Sequence, residues 1–131
     1  AVQLQKGSDV TIIATGHLVW EALEASEVLN KKGISTDVIN IHTIKPLDES
    51  SILESVNKTG CVVTAEEHNF LGGLGESVAR VLVKNNPVPQ EFVATNDTFG
   101  ESGTPTQLMK KYGLNFETIV DSALKVIKRK R

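Results

Sequence analysis

Short apolar runs alternate with helical spacings along most of the chain, which predicts an α/β protein. Val10-Thr11-Ile12-Ile13-Ala14-Thr15 reads as a strand stopped by Gly16. Leu18, Val19, Ala22, Leu23, Ala25 and Leu29 then fall on one side of a helix closed by Lys31, Lys32 and Gly33. Asp37-Val38-Ile39-Asn40-Ile41 predicts the next strand, Pro46 a turn, and Asp48 the cap of a short helix carrying Ile52, Leu53 and Val56. Cys61-Val62-Val63-Thr64-Ala65 predicts a third strand, followed by a glycine-rich turn and a helix through Val78, Ala79 and Leu82. Glu91-Phe92-Val93-Ala94-Thr95 is the last strand, prepared by Asn86-Pro87-Val88-Pro89. These strands read as apolar on both faces, as a parallel sheet between helices requires. Ala1-Val2-Gln3-Leu4-Gln5 alternates instead and suits a short edge strand.

Towards the C-terminus, Thr104-Pro105-Thr106-Gln107 has the form of a capping box, and Gly113 would end the helix it starts. Asn115 can cap a final helix with apolar positions Phe116, Ile119, Val120, Ala123, Leu124 and Ile127. No repeat, linker or low-complexity segment interrupts the pattern, so residues 1–131 are expected to form one domain.

Composition narrows the class. A chain of 131 residues can bury about two-thirds of its unfolded surface. With 40% hydrophobic and 23% charged residues it has ordinary globular proportions. A net charge of −2 points to neither nucleic acid nor a membrane surface as partner. The basic end at Lys125, Lys128, Arg129, Lys130 and Arg131 suits the C-terminus of a helix without any ligand. Cys61, the only cysteine, sits in an apolar run, so a reduced, cytoplasmic setting is expected. The sequence has neither an apolar run of membrane-spanning length nor a signal-peptide pattern at its start. Ala1 in place of methionine suits a segment of a longer polypeptide, or a processed one.

Candidate chemistry gathers where strands should meet helices. Gly16-His17 occupies the usual place of a phosphate loop, but the dinucleotide glycine pattern and the P-loop lysine are absent. Glu66-Glu67-His68-Asn69 ends the third strand. Neighbouring residues on an extended chain point to opposite faces, so Glu66 and Glu67 do not read as a paired acid and base. His68 with one of them could form an acid–base or metal pair, or the group could hydrogen-bond at an interface or channel rim. Gly72-Gly73-Leu74-Gly75 could cradle an anion or allow close packing, and the negative charge of Glu76 favours packing. Cys61 lacks a neighbouring base, and no nucleophile elbow or metal motif is present. From these residues alone the chain reads as a non-catalytic α/β module, with no catalytic, cofactor-binding or metal-binding residue assigned.

Four segments in order also carry a resemblance: Val10–Gly16, Thr43-Ile44-Lys45-Pro46-Leu47-Asp48, Glu66–Asn69 with Gly72–Gly75, and Phe99-Gly100-Glu101-Ser102-Gly103-Thr104-Pro105 with Tyr112-Gly113-Leu114. Together, over almost the whole chain, they resemble the C-terminal domain of transketolases, most of all the short archaeal and bacterial type split into two polypeptides. The resemblance implies a three-layer α/β/α fold around a five-stranded mixed sheet with the first strand antiparallel. It implies a cytoplasmic, dimeric parent enzyme of the pentose phosphate pathway. Thiamine diphosphate and Mg2+ would serve there to move a two-carbon ketol unit between sugar phosphates. The cofactor motif and the activating glutamate of that family belong to other domains, so this domain alone is expected to be inactive and to bind neither group. Glu66, Glu67, His68, Asn69, Gly72 and Gly73 become candidates for an interface or channel rim, and Gly16 and His17 for a minor anion turn. The implied partners are the other transketolase domains or subunit, in a homo-oligomer, with no nucleic acid or membrane. The 2-oxo acid dehydrogenase beta subunit and 1-deoxy-D-xylulose-5-phosphate synthase share the domain and remain alternatives. So does a stand-alone anion-binding or interaction module.

Overall fold

The computed structural model describes residues 1–42, 44, 46–67, 73–94 and 115–130. The strands are β1 (Val2–Gln5), β2 (Val10–Ala14), β3 (Thr36–Asn40), β4 (Val62–Ala65) and β5 (Gln90–Val93). The helices are α1 (Leu18–Lys31), α2 (Glu49–Thr59), α3 (Leu74–Asn85) and α4 (Phe116–Lys128). The helix expected from Thr104 to Gly113 lies outside the described residues, as do His68, Asn69 and Gly72.

One mixed sheet has the order β1-β3-β2-β4-β5. β1 pairs antiparallel with β3, and every other pair is parallel. This is the α/β/α sheet that the resemblance implies. α1 and α4 cover one face together with Ile12, Val38 and Val63, while α2 and α3 cover the other with Ile13, Ile39 and Val62. Adjacent strand residues therefore feed two separate cores, the consequence of a side-chain period of two. Fully burying an isoleucine such as Ile12 or Ile13 contributes about 1.5–3 kcal/mol.

Helix ends follow local chemistry. Asp48 Oδ1 accepts from the Ser51 N–H at 3.2 Å to start α2, and Asn115 Oδ1 accepts from the Thr118 N–H at 3.0 Å to start α4. At the far end of α2, Gly60 takes the left-handed conformation (φ +79°) that favours glycine.

One expectation needs correction. The strands are not uniformly apolar: β2 and β3 bury Thr11, Thr36 and Asp37, and β5 is an edge strand whose Phe92 is 41% exposed. An edge strand has only one neighbour to cover it, so its pattern need not be apolar on both sides. Below the sheet's amino edge, Asp37 is fully enclosed yet well partnered. Its carboxylate accepts from Gln3 Nε2 (2.7 Å), Gly7 N (3.0 Å), Lys58 Nζ (3.0 Å) and the Ser55 hydroxyl. Thr11 Oγ1 continues the network to Ser55 and Thr59. Strand β1 and the turn after it are thereby tied to β3 and α2.

Candidate functional site

The carboxyl edge of the sheet is organised by the end of β4. The Glu66 N–H donates to Val93 O at 2.9 Å, so Glu66 extends the ladder and keeps its alternation. Its side chain therefore leaves on the α2/α3 face. There it is 2% exposed. Glu66 Oε1 accepts from the Leu74 N–H at 2.8 Å and Oε2 from the Gly75 N–H at 2.6 Å. The first residue of α3 is Leu74, preceded by Gly73 without a side-chain cap of its own. A glutamate eight residues upstream thus supplies the acceptors that a cap residue ordinarily provides, and its charge faces the positive end of the helix.

Glu67 turns to the other face. Its Oε1 accepts from the His17 N–H at 3.0 Å, at the start of α1. Gly16 adopts φ +60°, and a Cβ there would lie 3.4 Å from the same carboxylate oxygen. Gly16 thus meets the demand of a left-handed turn, while the carboxylate would stand at ordinary contact distance from a Cβ. One dipeptide consequently secures two helices in two different layers.

The placement of the candidate residues follows from this. Glu66 and Gly73 meet at α3, and Glu67, Gly16 and His17 meet at α1. The structure separates the two glutamates rather than pairing them. The His17 N–H, a donor that an anion at that turn would need, is engaged by Glu67. His17 and His42 are exposed at the same edge. Cys61 is buried on the α1/α4 side, and burial pushes its thiol up to about 11 despite the nearby Lys130 cation. A thiol held protonated at neutral pH is a poor nucleophile.

Among the described residues, the donors at this edge do not fit thiamine diphosphate and its metal. Among the described residues no group of three or more His, Cys, Asp or Glu side chains converges on a point that could hold a cation. The N-termini of α1 and α3, where a diphosphate could find backbone N–H groups, already hold the carboxylates of Glu67 and Glu66. No helix among the described residues is long and apolar enough to cross a membrane.

Sequence reasoning located this edge but not the helix each glutamate serves. It also missed Asp37, although a lone carboxylate inside the run Thr36-Asp37-Val38-Ile39 signals a buried, partnered charge.

Comparison with known proteins agrees with this architecture. Residues 1–119 match the family model "Transketolase, C-terminal domain". The 6-deoxy-6-sulfo-D-fructose transketolase subunit SqwH of Clostridium sp. (strain MSTE9) is 49% identical over 127 residues, spanning 97% of this chain and 39% of that protein. The 1-deoxy-D-xylulose-5-phosphate synthase of Desulforudis audaxviator (strain MP104C) is 38% identical, spanning 98% of this chain and 20% of that protein. A solved structure of a split-gene transketolase, an inactive β4 tetramer, superimposes with a TM-score of 0.95 at 45% identity. It is matched over 99% of this chain and 43% of its own. The chain thus spans well under half the length of the proteins it matches. It belongs to the transketolase C-terminal domain family.

Proposed function

We propose that this chain is the C-terminal domain of a thiamine-diphosphate-dependent transketolase, and that its part in the enzyme is assembly and the rim of the active-site entrance. The parent would move a two-carbon ketol unit between sugar phosphates, with the cofactor, Mg2+ and catalytic residues supplied by other domains or a companion subunit. One observation supports this division most directly. The acidic pair at the carboxyl edge is engaged in holding α3 and α1, each carboxylate accepting backbone N–H groups of the same chain. Such an edge offers a fixed platform rather than an acid–base pair. Glu66, Glu67 and Gly73 would form part of that platform, with His68, Asn69 and Gly72 beside them in sequence.

A synthase parent is the second reading, favoured by the identity to a 1-deoxy-D-xylulose-5-phosphate synthase. Reconstitution separates the two. The chain is rejoined to its companion polypeptide with thiamine diphosphate and magnesium. It is then offered xylulose 5-phosphate with ribose 5-phosphate, or pyruvate with glyceraldehyde 3-phosphate. Sedoheptulose 7-phosphate from the first pair is the expected product, and deoxyxylulose phosphate from the second would move the parent to the synthase. The chain alone should give no stoichiometric heat with thiamine diphosphate and magnesium. Tight binding would refute the assignment of cofactor chemistry to the other domains.

A further inference from the structure

A groove of about 290 Å³ runs between the β3–α2 connection and the outer side of α3. Its apolar wall includes Ile44 and Leu47, both packed against the α2/α3 core. Along α3 the opposite wall presents Ser77, Arg80 and Lys84, the i, i+3 and i+7 positions of one helical stripe. Glu49, in the first turn of α2, faces them.

Two features set this groove apart from an ordinary charged surface. Arg80 and Lys84 form no ion pair among the described residues, although Glu49 lines the same groove. Ser77 is only 9% exposed and lines the groove, yet its hydroxyl has no hydrogen-bond partner among the described residues. A buried hydroxyl without a partner carries a desolvation cost that a bound acceptor would relieve.

We propose that this α2/α3 groove is a binding site for a small phosphomonoester. Its phosphate would lie across Ser77, Arg80 and Lys84, and its short carbon chain along Ile44 and Leu47. The chemistry of each wall selects this class. A guanidinium and an ammonium one helical turn apart suit the charge and the several acceptor oxygens of a phosphate. The hydroxyl of Ser77 donates to one more oxygen. The apolar wall rewards a carbon skeleton, and Glu49 at the far side accepts from a hydroxyl on it. The volume lies at the small end of the roughly 300–1,000 Å³ typical of ligand pockets, which excludes a dinucleotide. The groove lies on the outer side of α3, the helix whose start Glu66 caps, and the proposal does not rest on the assembly role given above.

The test uses this chain at low salt, with amide and methyl NMR spectra followed during titration with inorganic phosphate, n-butyl phosphate or n-butanol. Butyl phosphate should give saturable shifts at Ser77, Val81 and Ile44, with an affinity about tenfold above that for inorganic phosphate, the share expected of the carbon chain. The paired substitution Arg80→Gln with Lys84→Gln, both at exposed positions, should weaken binding by about tenfold or more. Ser77→Ala should weaken it severalfold. Three results would each overturn the proposal: no saturation with butyl phosphate, equal affinity for inorganic phosphate, or unchanged affinity in the Arg80/Lys84 double variant. Equal affinity for the two phosphates would mean a bare patch of positive charge.

Discussion

Replacing Glu66 by glutamine tests whether its carboxylate is the cap of α3. The substitution preserves shape and keeps one acceptor oxygen. The other oxygen becomes an NH2 group that cannot accept from a backbone N–H. One of the two bonds, at 2.8 Å to Leu74 N or 2.6 Å to Gly75 N, is therefore lost in a buried setting. A hydrogen bond to a charged group contributes about 1.5–3 kcal/mol. Loss of the charge at the helix's positive end adds about 0.3–1 kcal/mol. Against this, the amide avoids part of the carboxylate's desolvation cost, offsetting about 1 kcal/mol. The net loss is about 1–3 kcal/mol, and at 131 residues each kcal/mol corresponds to about 4 °C in Tm. Thermal melts followed by far-UV circular dichroism should thus show Tm lower by roughly 4–12 °C. Amide exchange should quicken most at Leu74 and Gly75. A variant melting within about 2 °C of the parent, with unchanged exchange at those two amides, would refute the capping argument.

Three further outcomes follow from the packing. Gly7→Ala should destabilise strongly, by about 3 kcal/mol or more, because the new Cβ would sit 2.3 Å from the Thr36 backbone; urea denaturation would measure it, and a loss below about 1 kcal/mol would contradict the contact. Burial raises the Asp37 carboxyl, but bonds from Ser55, Lys58 and Gly7 and the Lys58 charge outweigh it, leaving the pKa below the ordinary 3.8. Its contribution is then complete above the unfolded value and is lost as pH falls through the folded one; Asp37→Asn should cost on the order of 2 kcal/mol at pH 7 and flatten the acid side of the stability curve. Cys61 has the opposite sign. Its thiol is raised from 9.0 to about 11, so its contribution persists below pH 9 and fades as pH rises through about 11. A thiol reagent at pH 8 should leave the folded chain unmodified and react only after unfolding; rapid native labelling would contradict the burial.

The sequence disclosed whatever depends on near neighbours. Asp48 and Asn115 cap the helices they precede, because a cap bonds an N–H two or three residues on. The opposed directions of Glu66 and Glu67 follow from strand alternation alone. Their partners did not emerge, since His17 lies fifty positions from Glu67, and no local pattern records which helix start a fold brings there. Asp37 was obscured for the same reason: its acceptors are filled from β1 with its following turn and from α2, two separate stretches of chain. Ser77, Arg80 and Lys84 share one stripe of α3, but the wall opposite them comes from the β3–α2 connection, a distant stretch of chain.

The antiparallel direction of β1 has a consequence for how a larger enzyme is put together. Val2 pairs with Asn40, the last residue of β3, so β1 begins at the carboxyl edge that also carries Glu66 and Glu67. The chain reaches the opposite edge by Arg129, which donates to Gln90 O at the start of β5. Any polypeptide joined ahead of Val2 would therefore arrive at the edge that carries Glu66 and Glu67. A short tether of that kind sets an effective concentration in the millimolar range. Two separate chains at micromolar concentration lack that advantage, and their interface must be stronger by about 4 kcal/mol to reach the same occupancy.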